Sequence, residues 1–193
     1  MITQDQEDVP KLPYNNQTYI VMSKMLIVVD MQNDFVTGSL VNQTALEVIP
    51  FIKSEIESGK YSRVLFTQDT HYDNYLETQE GKNLPVKHCI FGTKGWDVVD
   101  ELKEYVTDTN SIQKTTFGFN GWNEEKFGIA DVDEVVFVGT CTDICIASNA
   151  LILKAMYPEK KVTVLAKGCA GLTPEKHNAA LETMKSCQVN VVE

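Results

Sequence analysis

The sequence predicts an α/β protein, a three-layer α/β/α arrangement around a central, mostly parallel sheet of about six strands. Three observations carry that prediction. Short, mostly apolar runs, such as residues 25–29 (MLIVV) and the β-branched stretch 132–139 (VDEVVFVG), have the composition of strands buried on both faces. Stretches of helical periodicity alternate with them, notably residues 44–58 and 144–157. Acidic, basic and thiol side chains stand directly after the strands, where an open parallel sheet places its ligand crevice.

The elements follow in order. Residues 1–24 have no periodicity and are rich in Gln, Asn and Asp, so a flexible N-terminal extension is expected there, with the folded domain over residues 25–193. The run from Met25 to Val29 is the first strand, and the helical stretch of residues 44–58 ends at Gly59. RVLFT from Arg63 is a second buried strand that ends at Asp69. Residues 70–95 are polar and charged, and a loop that long usually carries function. A short helix is expected over residues 96–106, and a brief strand over Ser111–Lys114. After the strand at 132–139 and its helix comes another strand, from Lys161 to about Ala166. Thr173, Pro174 and Glu175 then open a last helix with an N-cap residue, a proline at the first helical position and first-turn acid. VNVVE is an edge strand.

Composition narrows the function. With 193 residues the chain fits one full-sized core, and 43% hydrophobic content suits a globular protein. A net charge of -10 argues against nucleic-acid binding, which needs clustered Lys and Arg. No apolar run approaches the ~20 residues of a membrane span, and the N-terminus lacks the order of a secretion signal. Five cysteines (Cys89, Cys141, Cys145, Cys169 and Cys187) show no framework spacing, so a reducing cytoplasm is expected. No glycine-rich nucleotide loop follows the first strand.

Cys145 stands where the strand at 132–139 passes into a helix. A helix N-terminus stabilises a thiolate and a neighbouring oxyanion. Inert packing is an equally good account of a single thiol. The neighbouring strand ends decide between them. Asp30 follows the first strand, Asp69 and His71 the second, and Lys114 the third. Each alone is a turn residue or a solvated charge; together on one sheet edge they form an acid, a lysine, a thiol and a metal-type D-x-H pair.

Four segments then resemble one family: VVDMQNDF (28–35), TQDTH (67–71), HCIFGTKGW (88–96) and VGTCTDIC (138–145). With them the chain resembles the isochorismatase-like cysteine hydrolases, and within these the nicotinamidases, over nearly all of residues 25–193. The resemblance implies the fold above and a triad of Asp30, Lys114 and Cys145. It also implies an oxyanion hole from the backbone N–H groups of Cys141 and Cys145, with a cis peptide between Thr140 and Cys141. Asp69, His71 and His88 are implied as ligands of a divalent metal, Zn²⁺ before Mn²⁺ or Fe²⁺, with Glu77 or Glu80 as an optional fourth. The implied reaction is nicotinamide to nicotinate and ammonia in NAD salvage; hydrolysis of another small amide or of isochorismate is the alternative. Phe35 is a candidate ring contact, and a small-molecule amide is the expected partner, with self-association left open. His177 reads as a surface residue. The sequence departs from nicotinamidases before His88, where Leu84 and Pro85 replace an expected tryptophan. Tyr75, Phe117 or Trp122 is expected to supply the missing wall.

Overall fold

The computed structural model describes residues 22–193. The expected extension, residues 1–24, lies outside the described residues except for its last three. Six strands form one sheet: β1 (Lys24–Val29), β2 (Arg63–Asp69), β3 (Ser111–Lys114), β4 (Glu134–Thr140), β5 (Lys161–Ala170) and β6 (Asn190–Val192). Their order is β3-β2-β1-β4-β5-β6, and every neighbouring pair is parallel. The helices are α1 (Asn33–Val36), α2 (Ala45–Glu57), α3 (Gln79–Asn83), α4 (Asp100–Lys103), α5 (Ala147–Met156) and α6 (Pro174–Ser186).

The apolar runs become central strands because both faces of the sheet are covered. Met25, Ile27 and Val29 of β1 pack with Leu153 of α5 and with Leu181 and Met184 of α6. Leu26 and Val28 point the other way, against Val48, Ile49 and Ile52 of α2 and Leu102 of α4. A strand's two-residue alternation thus feeds two separate cores, each fully buried Leu, Ile or Val contributing roughly 1.5–3 kcal/mol. No helix among the described residues is long and apolar enough to cross a membrane.

The chain lays β2 and β3 on one side of β1, then returns to place β4, β5 and β6 on the other. The crevice at such a reversal lies beyond the carboxyl ends of the two central strands, here β1 and β4. Their contact is close at Gly139, which pairs with Val29 and has φ 123. A Cβ at that position would sit 2.1 Å from the Val29 carbonyl oxygen, so only glycine fits.

Three elements differ from expectation. Of residues 96–106, only Asp100–Lys103 is helical. The side-chain amides of Gln32 and Asn33 donate to the carbonyls of Trp96 (2.8 Å) and Asp97 (3.2 Å), which holds that stretch as a loop. Strand β5 runs on to Ala170 through a register shift opposite Phe137 and Gly139. The helix at the Cys145 turn opens with a π-helical turn over Thr142–Ile146, and regular α5 starts only at Ala147.

Candidate active site

Asp30, Lys114 and Cys145 come from three strand ends and meet. Asp30 leaves β1 in a left-handed conformation, φ 50, which turns its carboxylate across the sheet edge. Thr67 fixes it: the hydroxyl donates to Oδ1 at 2.7 Å and the Thr67 carbonyl accepts from the Asp30 amide at 3.1 Å. Oδ2 lies 2.7 Å from Lys114 Nζ and has no hydrogen-bonded partner apart from that ion pair among the described residues. Lys114 Nζ also reaches the Thr116 carbonyl (3.2 Å), Asp69 Oδ1 (3.4 Å) and Cys145 Sγ (3.7 Å). This lysine is 2% exposed.

Cys145 sits in the π turn, after a cis peptide between Thr140 and Cys141. Ile144 and Ile146 both donate to the Cys141 carbonyl at 3.1 Å, closing the turn. Asn149 Nδ2 holds the Cys145 carbonyl at 2.8 Å.

Burial raises the Cys145 thiol well above its ordinary pKa; Lys114 pulls it back and Asp30 raises it further. Burial likewise raises Asp30, Lys114 lowers it, and Asp69 raises it again, leaving it above the usual carboxylate range. Burial disfavours the ammonium, but Asp30, then Cys145 and Asp69, outweigh this and keep Lys114 charged. Asp30 and Cys145 therefore compete for one proton beside a fixed cation. The other thiols differ. Burial raises Cys141, eased by the Thr140 hydroxyl, and pushes Cys169 up to about 12.

The second constellation adjoins the first. The ligand atoms of Asp69, His71 and His88 all lie within 4.8 Å of one another. His71 Nε2 is 3.0 Å and His88 Nε2 3.5 Å from Asp69 Oδ2. His88 Nδ1 donates to the Val86 carbonyl at 2.8 Å, which leaves Nε2 facing the cluster. Glu80 Oε1 lies 3.5 Å from His71 Nε2 and 3.6 Å from His88 Nε2, whereas Glu77 is exposed. One carboxylate and two imidazoles, with Glu80 alongside, fit a divalent metal ion. Asp69 belongs to both constellations, with Oδ1 toward Lys114 and Oδ2 toward the histidines.

A cavity of about 380 Å³ opens over Cys145, Asp69 and His88, with Phe35 and Phe117 on its walls. Phe35 packs 5.7 Å from His88, ring to ring. Tyr75 is placed elsewhere. It is fully buried behind both histidines, 4.6 and 5.0 Å between ring centroids, and its hydroxyl donates to the Leu84 carbonyl. Trp122 does not reach the cavity at all, which corrects the sequence reading. It is fully buried in the core against Phe119 and Phe137, and its indole N–H donates to Asn149 Oδ1. Leu84 stands at the wall instead. His177 is half-buried rather than on the surface, with Nδ1 2.9 Å from the Thr142 hydroxyl of the Cys145 turn.

Two positioning residues escaped the sequence reading. Gln32 is fully buried and grips the Asp69 backbone on both sides: Oε1 accepts from its amide at 2.7 Å, and Nε2 donates to its carbonyl at 2.8 Å. The side-chain amide stands in for the strand neighbour lost when Asp30 turns away. Asn149 links the Cys145 carbonyl to the Phe119 amide and the Trp122 indole. Its signal was available, because a polar residue between Ile146, Ala150 and Leu153 sits on the core side of its helix.

A buried thiol beside a carboxylate and a lysine, next to a metal-type carboxylate–imidazole cluster at the edge of a parallel sheet, is the site of a hydrolase. The chain belongs to the Isochorismatase domain family, whose profile matches residues 24–193. Among curated relatives, a nicotinamidase/pyrazinamidase of Mycobacterium tuberculosis is 29% identical over 189 residues, covering 88% of this chain and 98% of that protein. A probable inactive nicotinamidase of Arabidopsis thaliana is 30% identical over 176 residues, covering 85% of this chain and 89% of that one. Among solved structures, a nicotinamidase of Bacillus subtilis superposes with TM-score 0.71 at 28% identity, covering 89% of this chain and all of that one. A pyrazinamidase of Pyrococcus horikoshii in complex with zinc gives TM-score 0.68 at 26% identity, covering 89% and 99%.

Proposed function

We propose that the protein hydrolyses nicotinamide to nicotinate and ammonia through a thioester on Cys145. The observation that carries this reading is the shared carboxylate, Asp69, which joins the thiol–acid–lysine group to the metal cluster at one cavity. Asp30 Oδ2 takes the thiol proton while Lys114 stabilises the resulting negative charge. The sulfur attacks the carboxamide carbon, forming a C–S bond and an oxyanion that the backbone N–H groups of Cys141 and Cys145 receive. Asp30 then gives its proton to the departing nitrogen, the C–N bond breaks and ammonia leaves. Water attacks the thioester, with Asp30 accepting its proton; the C–S bond breaks and the thiol is restored. A divalent ion held by Asp69, His71 and His88, with Glu80 as fourth ligand, would supply a Lewis acid for the ring nitrogen, and zinc suits that donor set before manganese or iron.

On this reading the reaction serves NAD salvage in a reducing cytoplasm, in keeping with five free cysteines. The test is ammonia release from nicotinamide by metal-loaded protein, with and without chelator. Cys145→Ala should abolish turnover and leave metal content unchanged; residual turnover removes the nucleophile role. Leu84 in place of an aromatic wall favours a second reading, hydrolysis of another small amide. Turnover of other amides with none of nicotinamide would select it.

A further inference from the structure

Two cavities meet at the candidate active site. The first, about 380 Å³, has Cys145, Asp69 and His88 in its lining. The second, about 650 Å³, is lined by His71, Tyr75 and Thr116. The histidine pair thus lies between them, one ring bordering each. Both cavities share Glu80, Leu84 and Phe117.

Leu84 and Phe117 form a divider that can yield. They are 39% and 47% exposed, so neither side chain is locked into a core. The Leu84 backbone, in contrast, is held at both ends: its amide donates to the Glu80 carbonyl at 2.8 Å and its carbonyl accepts the Tyr75 hydroxyl at 2.9 Å. A fixed backbone with a free aliphatic side chain makes a boundary set by side-chain size. Pockets of about 300–1,000 Å³ serve drug-sized ligands, so the first cavity already exceeds the needs of a single-ring amide and the second adds more. Neither lining contains a lysine or arginine, and Glu80 borders both. An anionic group would therefore meet no side-chain cation in either lining.

We propose that the substrates include aromatic carboxamides bearing an uncharged ring substituent, with the carboxamide at Cys145 and the substituent passing between Leu84 and Phe117 into the second cavity. The proposal rests on the amide-hydrolysis reading above. The chemistry is the same: the C–N bond breaks, and water supplies hydroxyl to the acyl carbon and a proton to the leaving ammonia. Leu84 and Phe117 determine how large a substituent passes.

The test uses the full chain loaded with zinc and ammonia release from nicotinamide and from nicotinamides carrying methyl, phenyl or carboxylate at ring position C5 or C6. Phenyl at one of these positions should keep kcat/KM within about tenfold of nicotinamide, while carboxylate loses about 100-fold. Leu84→Trp should lower the phenyl-to-unsubstituted ratio by roughly tenfold or more, and Phe117→Ala should raise it. Turnover of nicotinamide with exclusion of phenyl at both positions overturns the proposal and leaves amide hydrolysis standing. A ratio unmoved by both variants overturns the role of the divider. No ammonia from any amide refutes amide hydrolysis itself, and this proposal with it.

Discussion

Lys114→Met removes the ammonium 3.7 Å from Cys145 Sγ and 2.7 Å from Asp30 Oδ2 while keeping a side chain of similar length. At an effective dielectric of ~20, a unit charge at that distance from the sulfur is worth about 4 kcal/mol, or ~3 pKa units. Asp30, deprived of its partner, takes up a proton and returns part of this, so a net rise of about 2 units is expected. The lysine holds the thiol pKa down, so its loss moves the alkylation profile to higher pH. At a fixed pH below the thiol pKa, the thiolate fraction falls about 100-fold. Iodoacetamide labelling followed by peptide mass spectrometry reads this directly, with exposed Cys187 as internal standard. Removing one partner of a buried pair costs roughly 3–5 kcal/mol, so folding must be checked at the labelling temperature. A Cys145 rate that falls less than threefold relative to Cys187, in folded protein, would refute the electrostatic role of Lys114.

Other predictions follow from the same geometry. Gln32→Leu strips the Asp69 backbone of both clamps, so zinc affinity should fall 10–100-fold in a competition titration; an unchanged affinity shows that Asp69 is held by other means. His88→Ala should lose the metal and leave Cys145 labelling of the metal-free protein nearly unchanged. Asp69→Asn should lose the metal and also speed labelling, because Asp69 raises the thiol pKa. Equal labelling in the two variants would contradict the shared carboxylate. Burial raises Glu134, but Thr163, Lys24 and Lys161 outweigh this and leave its pKa below the usual carboxylate value. Its stabilisation is therefore present above the unfolded carboxylate pKa and lost as pH falls through the lower folded value. Glu134→Gln should cost about 1–3 kcal/mol in urea unfolding at pH 7, with the difference shrinking below about pH 4.

The strands were legible because their burial is nearly total. Lys24–Val29 and Glu134–Thr140 face helices on both sides, so each reads as an apolar run. The strand ends were legible for a related reason: charged residues after such a run have nowhere to go but the crevice. Periodicity fails where side chains bond to distant backbone. Gln32 reaches the Trp96 carbonyl across 64 residues, and that bond turns an expected helix into a loop. Trp122 was misplaced because an aromatic near Lys114 in sequence reads the same whether it faces a ligand or, as here, fills the core beneath Asn149. The π turn at Cys145 has the same apolar spacing as the helix it precedes, so nothing in the pattern distinguished them.

The bare Cα of Gly139 has a bearing on how this protein tolerates change. Seen from the chemistry it is a bystander, six residues before the thiol and without a functional group. Yet a single added methyl would meet the Val29 carbonyl at 2.1 Å, one residue before the catalytic-type acid. The two central strands would have to part, carrying Cys145 away from Asp30. A library of random variants scored only for activity should therefore find Gly139 as intolerant as Cys145, and only a thiol-reactivity measurement would tell the lost chemistry from the lost distance.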